Sequence, residues 1–383
     1  MDNELIGVYV HWPFCTRLCP YCDFNIYKNK PDLAFELTQA IVDDLRTWRE
    51  ASGSRTLASI HFGGGTPSLM SIDHLRAIIE EVQTLWDPNV DLEIALEANP
   101  DDISREKLSQ WKSVGIERLS IGAQSFDDDV LKFLGRNHNS KSARRALEMA
   151  VDMIPRVSTD LIYGWLGQTT DHWRRELEQV LAIEPGHIST YQLTIEDKTA
   201  FARAEQRGDA RVVDTDKSAD LFDLVGNVLG EVGYDRYEVS NFAKTAKDQS
   251  RHNKLYWQGE DYVGVGPGAH GRLTGAGQRT ATIATLKPQD YMEGGASFTS
   301  PVTTRELMSC EARAEEYVLM GLRISEGISL SKFRALSGCE LPEEVVDQLV
   351  RDGLLMQNGD KLMATEQGRL VLDSVSHTLL NEP

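Results

Sequence analysis

The chain has 383 residues, with 40 Lys and Arg against 59 Asp and Glu, a formal net charge of −19. Its length predicts two or three domains with ample core, and 41% apolar with 26% charged residues excludes a disordered or fibrous chain. The acidic balance argues against unspecific phosphate-backbone binding, no run reaches the ~18 apolar residues of a membrane span, and Met1-Asp2-Asn3-Glu4 lacks the basic and apolar regions of an export signal, so a cytoplasmic location is expected. In chain order, short apolar segments at 6–12, 57–62, 92–97, 116–121, 157–162 and 188–193 predict strands. Helical spacing separates them: Leu33, Leu37, Ile41, Leu45 and Trp48, then Leu75, Ile78, Ile79, Val82 and Leu85, then Leu177, Val180 and Leu181. Six such units predict an α/β fold with a parallel sheet, an open, partial (β/α)6 TIM-like barrel over residues 1–233.

Almost every predicted strand runs into a polar or Gly-rich cluster at its carboxyl end, which is where parallel β/α folds build their sites. Residues 234–300 read as an irregular, Gly-rich segment that completes the site. Residues 301–383 read as a small α+β, winged-helix-like domain. Its helices are expected at about 312–323, 329–337 and 342–352, followed by a hairpin, 354–357 with 360–364, turning at Asn358-Gly359. A last helix, capped by Thr365, is expected to run to about Thr378.

Five cysteines are present. Cys310 and Cys339 stand alone and are expected to be buried structural thiols. Cys15, Cys19 and Cys22 form C-x3-C-x2-C, a compact set of three thiolate donors that reads as metal or cluster ligation. A four-iron cluster ordinarily takes four cysteines, so three leave one iron open to exogenous chemistry. A c-type haem site fails because Asp23, not His, follows Cys22. A two-cluster ferredoxin run lacks its fourth cysteine. A Cys3His zinc site using His11 stays a rival, although zinc sites usually come as paired C-x2-C arms.

His11-Trp12-Pro13-Phe14-Cys15-Thr16-Arg17-Leu18-Cys19-Pro20-Tyr21-Cys22-Asp23-Phe24 resembles the radical S-adenosylmethionine signature, and in particular that of the oxygen-independent coproporphyrinogen III oxidase family and its haem-chaperone (HemW) branch. The resemblance spans nearly the whole chain. It continues through Gly63-Gly64-Gly65-Thr66-Pro67-Ser68, Glu97-Ala98-Asn99-Pro100, Gly122-Ala123-Gln124-Ser125-Phe126, Gly135-Arg136-Asn137-His138 and Asp160-Leu161-Ile162-Tyr163-Gly164. Further on it reaches Tyr237-Glu238-Val239-Ser240-Asn241-Phe242, His252-Asn253-Lys254-Leu255-Tyr256-Trp257 and Gly264-Val265-Gly266-Pro267-Gly268-Ala269-His270.

The resemblance implies a [4Fe-4S] cluster held by Cys15, Cys19 and Cys22, with S-adenosylmethionine chelating the fourth iron through its amine and carboxylate. One electron from the cluster then breaks the sulfonium C–S bond, chemistry that belongs to the cofactor. By matching motif positions, Tyr9, Tyr21, Gly64, Gly65, Thr66, Glu97, Gln124, Arg136 and Asp160 are implied to contact S-adenosylmethionine. The residue types suit the task. Adjacent glycines admit a ligand close to backbone, Glu97 can accept from amino or ribose groups, Arg136 can grip a carboxylate, and Tyr21 offers an aromatic edge near the adenine. Plainer roles compete: a turn for the glycines, helix caps for Glu97 and Asp160, packing for Tyr21.

In the oxidase branch a fourth cysteine stands two positions after the third, and a longer extension precedes the first strand. Here that position is Phe24, and eight residues precede Tyr9. Both departures point to the haem-chaperone branch, implied to bind haem and hand it to an acceptor protein, with an electron donor serving the cluster and any membrane association peripheral, through the acceptor. Coproporphyrinogen dehydrogenation, or another radical reaction on a small molecule, is the alternative, and whether the chain is an enzyme stays open. His252 is the branch's suggested haem contact, imidazole being a common axial ligand; the competing role is a loop histidine bonded to backbone. His270 fits the cofactor rim or a structural place equally. The helix at 342–352 carries Glu343, Glu344, Asp347 and Asp352 against Arg351, the wrong sign for a duplex, so no nucleic acid is expected.

Overall fold

The computed structural model describes residues 5–294 and 304–381. The opening residues Met1–Glu4 and the domain boundary expected at 300/301 lie outside them. All six expected strands are present: β1 (Leu5–Trp12), β2 (Thr56–Gly64), β3 (Asp87–Ala98), β4 (Arg118–Gln124), β5 (Arg156–Tyr163) and β6 (His187–Gln192), paired in parallel in that order. β1 and β5 are buried along nearly their whole length, as strands covered on both faces must be.

The helices between them start on side-chain caps. Ser71 accepts from the His74 N–H, Ser104 from Lys107 and Thr169 from His172, and Asn139 forms a reciprocal capping box with Ser142. Their apolar faces put Leu45, Trp48, Leu75, Ile78, Trp111, Leu147 and Trp173 into one continuous core with the sheet.

From residue 235 to 283 the segment read as irregular is largely sheet, with one helix, Arg251–Trp257, between its strands. It supplies β7 (Asp235–Glu238), β8 (Asn241–Ala243), β9 (Asp261–Val265), β10 (His270–Gly275) and β11 (Gln278–Ile283), and β12 (Thr304–Leu307) follows. Together the described residues form a twelve-stranded sheet in the order β12-β11-β10-β9-β1-β2-β3-β4-β5-β6-β8-β7. β9 pairs in parallel with β1, from Ile6 with Asp261 to Val10 with Val265, so β1 is flanked by parallel strands on both sides. The glycines that obscured this are there for close approach: a Cβ on Gly264 would fall 1.9 Å from the His270 carbonyl oxygen.

The carboxyl-terminal unit has its own core, with Val318, Leu322, Ile328, Leu349, Leu362, Val375 and Leu379 at its centre. Helices Cys310–Gly321, Leu330–Ser337 and Glu343–Arg351 and a three-stranded sheet match the expected winged-helix-like order. Two details differ. Asn358 pairs with Lys361, so the hairpin turns at Gly359-Asp360; the Asp360 carboxylate fixes that turn by accepting from the Ser331 N–H and from Ser329 Oγ, at 2.8 and 2.6 Å. Thr365 caps only Glu366–Leu370, and a separate helix, Leu372–Asn381, follows a break at Val371. Cys310 and Cys339 are exposed, contrary to expectation. The first opens a helix just after its Ser309 cap, and the second sits in the loop past Gly338. The unit is tied to the sheet by Arg323 Nη2, 2.6 Å from Oε1 of the fully buried Glu238, and by Lys332 Nζ, which donates to the Gln258 carbonyl at 2.8 Å.

Candidate functional site

The carboxyl ends of the parallel strands surround a cavity of about 430 Å³, a size that suits a small-molecule ligand. Cys15, Cys19, Cys22, Tyr21, Gly64, Gly65, Thr66, Glu97, Gln124, Arg136 and Asp160 all line it.

Cys15 lies on a two-residue strand, Phe14–Cys15, that pairs with Tyr27–Lys28, so the stretch carrying Cys19 and Cys22 loops out and returns beside it. The turn after β2 holds that loop in place. Gly65 N–H donates to the Trp12 carbonyl at 2.7 Å, Thr66 N–H to the Phe14 carbonyl at 2.9 Å, and Thr66 Oγ1 to the Cys15 sulfur at 3.3 Å. The glycines therefore serve strand-to-strand contact first: a Cβ on Gly64, whose φ is +102°, would lie 2.6 Å from the His11 ring, and one on Gly65 2.8 Å from the Phe14 oxygen. Across the cavity Arg136 Nη1 donates to the Cys19 sulfur at 3.5 Å and Nη2 to the Gly122 carbonyl at 3.0 Å, while its buried Nε has no partner.

Burial and mutual repulsion push the Cys15 thiol up, and the Cys22 thiol up to about 11. A positive metal centre reverses that logic, because a coordinating thiol is deprotonated outright. Three thiols beside an unpartnered guanidinium nitrogen and the buried, unpartnered Asn99 Oδ1 are a donor set that fits a cluster with a polar ligand alongside. Among the described residues no three Cys, His, Asp or Glu side chains converge as a single ion requires. His11, the fourth ligand of the zinc reading, is already engaged, with Nδ1 3.0 Å from the Tyr9 hydroxyl and Nε2 3.0 Å from the Asn25 carbonyl.

Asp160 and Glu97 are the expected site residues that bring carboxyl groups to the cavity, beside Asp23 and Glu196. Asp160 accepts from Ser120 Oγ at 3.0 Å; desolvation raises its pKa to about 6, with Glu97's charge adding to the effect. Glu97 Oε1 lies 3.0 Å from His61 Nε2. Gln124 ends β4 at φ +65°, a conformation that non-glycine residues rarely take. A buried clamp holds the chain there: Ser125 Oγ and, at 2.7 Å, Phe126 N–H donate to Glu176 Oε1, and burial raises the Glu176 pKa to about 7.

Two expected site residues sit elsewhere. Tyr9 is half-buried beneath the cavity wall, stacked 6.1 Å from His61 and 6.2 Å from His252. His252 opens a helix, Arg251–Trp257, rather than a loop, and is 1% exposed. Its N–H donates to Glu93 Oε1 at 3.0 Å, its Nδ1 is 2.7 Å from Ser59 Oγ, and its Nε2 bonds the Tyr256 hydroxyl. Both ring nitrogens are engaged, and burial pushes its pKa well below the usual histidine range. His270 is exposed at the start of β10.

Sequence reasoning named no role for Ser120, Asn99, Tyr191 or Glu196, all of which line the cavity. Ser120 lies two residues before Gly122 on the same strand face, a period-2 signal. Tyr191 and Glu196 sit at the end of the sixth strand, where the strand-end rule alone points. Phe24, 60% exposed, lies on the cavity wall.

The parallel sheet, the three-cysteine loop and the cavity above it define a radical S-adenosylmethionine protein. The family model of the radical SAM superfamily matches residues 9–180, and that of the HemN C-terminal domain matches residues 308–371. The heme chaperone HemW of Bacillus subtilis is 34% identical over 98% of this chain and 99% of its own length. The mitochondrial radical S-adenosyl methionine domain-containing protein 1 of Bos taurus is 37% identical over 99% of this chain and 88% of its own. A solved chain described as the coproporphyrinogen III oxidase HemN from Escherichia coli, a radical SAM enzyme, shares the fold, with a TM-score of 0.82, 20% identity and coverage of 99% of this chain and 91% of that one. The chain belongs to the HemW branch of the radical SAM, HemN-like family. Among its described residues no helix is long and apolar enough to cross a membrane.

Proposed function

We propose that the chain is a haem chaperone of the cytoplasm that binds haem and transfers it to an acceptor protein, carrying a [4Fe-4S] cluster on Cys15, Cys19 and Cys22 and an exchangeable S-adenosylmethionine. The observation that carries this reading is the gathering of those cysteines with Tyr21, Gly64, Gly65, Thr66, Glu97, Gln124, Arg136 and Asp160 around one cavity. When bound, the cluster supplies an electron to the ligand's sulfonium. The protein's share is to bind and orient: Arg136 offers its guanidinium to a carboxylate, Glu97 and Asp160 accept from amino and hydroxyl groups, and Thr66 steadies the Cys15 sulfur. Phe24, where the oxidase branch carries its fourth cysteine, favours haem handling over propionate dehydrogenation. An electron donor serves the cluster, no nucleic acid is bound, and membrane association runs through the acceptor.

The test is one anaerobically reconstituted preparation assayed twice. It should contain iron and inorganic sulfide, bind haem, and leave coproporphyrinogen III unconverted. Protoporphyrinogen formed at a catalytic rate overturns the chaperone reading, and zinc without sulfide overturns the cluster.

A further inference from the structure

We propose that His61 is a positioning residue for Glu97: it holds one carboxylate oxygen so that the other is presented to S-adenosylmethionine. The inference rests on the cofactor reading above and adds a residue to it. Glu97 lines the cavity and its side chain is 39% exposed, so a free carboxylate there would sample several rotamers in water. His61 removes that freedom. Its Nε2 lies 3.0 Å from Glu97 Oε1. An ionised carboxylate only accepts, so a neutral His61 must carry its proton on Nε2, leaving Nδ1 bare. Nδ1 is buried and has no partner, so the ring's hydrogen bonding is directed at Glu97.

The surroundings enforce the ring's orientation. His61 is 6% exposed and stacks on His252 at 4.7 Å with 10° between the planes, while Tyr9 lies 6.1 Å away. His252 is itself locked by Ser59 and Tyr256, so the imidazole cannot swing away from Glu97. Gly63 keeps the space open: a Cβ there would stand 3.0 Å from both Glu97 Oε1 and the Tyr9 ring. The sequence Ile60-His61-Phe62 thus places a polar ring between two fully buried apolar neighbours; His61 does not line the cavity, whereas Glu97 does.

Reconstituted parent, His61→Phe, His61→Gln, Glu97→Gln and the double variant His61→Phe/Glu97→Gln would be titrated with S-adenosylmethionine by calorimetry, with iron content and thermal midpoint recorded for each. Phe preserves the stacking ring and removes the donor; Gln returns an N–H near the Nε2 position. His61→Phe should bind about tenfold more weakly at unchanged iron content. His61→Gln should recover to within about threefold of the parent, and the double variant should bind no worse than Glu97→Gln. Parent-like binding by His61→Phe, or additive losses in the double variant, overturns the proposal. Should His61→Phe fail to fold, His61→Gln and Glu97→Gln decide it: a loss beyond about threefold in His61→Gln, or parent-like affinity in Glu97→Gln, overturns it. A parent that retains its iron yet binds no S-adenosylmethionine overturns the cofactor reading itself, and this inference with it.

Discussion

Arg136 reaches the Cys19 sulfur from 117 residues away in the chain, its Nη1 3.5 Å from the thiol while Nη2 is tied to the Gly122 carbonyl. One guanidinium thus joins the cysteine loop to the end of β4, its Nε is buried without a partner, and the residue lines the cavity. Arg136→Met keeps the apolar stem and removes the charge. Hydrogen bonds to charged groups are worth about 1.5–3 kcal/mol, so S-adenosylmethionine affinity should fall by about tenfold to a hundredfold. Calorimetry on reconstituted protein checks this, and an unchanged dissociation constant would remove Arg136 from the site.

Cys15→Ser, Cys19→Ser and Cys22→Ser should each abolish iron and sulfide retention after anaerobic reconstitution. Cys310→Ser and Cys339→Ser, at exposed positions of the carboxyl-terminal unit, should retain both in full. Iron held by any of the first three variants at the parent's stoichiometry contradicts the assignment.

His252 has no open nitrogen and no exposed face, so its removal should be felt as lost stability. His252→Ala strips partners from Ser59 and Tyr256 and leaves a hole beside the His61 ring. The cost should be about 2–4 kcal/mol, measured by denaturant unfolding. The haem absorption spectrum of the variant should match the parent's. A displaced Soret band at unchanged stability would restore the ligand role expected from the sequence.

Glu176 predicts a pH dependence. Its folded-state pKa, about 7, lies above the ordinary 4.5 because burial disfavours the charge. Between those values the folded chain holds a proton that the unfolded chain has released. The stability this contributes is fully present below about pH 4.5 and declines as pH rises to about 7. Glu176→Gln keeps an acceptor for Ser125 and Phe126 and removes the titration. It should be more stable than the parent by about 1–3 kcal/mol at pH 8 and no more stable at pH 4.5. Unfolding curves at both pH values check this, and parallel pH profiles for the two proteins would refute it.

The six strands were legible because each is a short apolar run ending in polar or glycine residues, and the cavity followed from the rule that parallel sheets keep their sites at those ends. β9 was not legible: Gly264, dictated by the close approach of the His270 backbone, and the glycines that follow the strand look like loop. The place of His252 was hidden for a different reason. Its partners Ser59 and Glu93 lie 193 and 159 residues away, and no local pattern carries contacts of that separation. The exposure of Cys310 and Cys339 was missed because lone cysteines are usually buried, whereas these stand at a helix start and in a loop.

The pairing of β1 with β9 has a consequence for biosynthesis. Ile6 meets Asp261, so at about 5–20 residues per second the ribosome works for on the order of ten to fifty seconds before the second neighbour of β1 emerges. Throughout that interval the strand leading into the cysteine loop keeps one bare edge, a template for wrong partners. Closure of the sheet beside the thiols is thus a late event, and a nascent chain remains open beside its cysteine loop until most of it has been made.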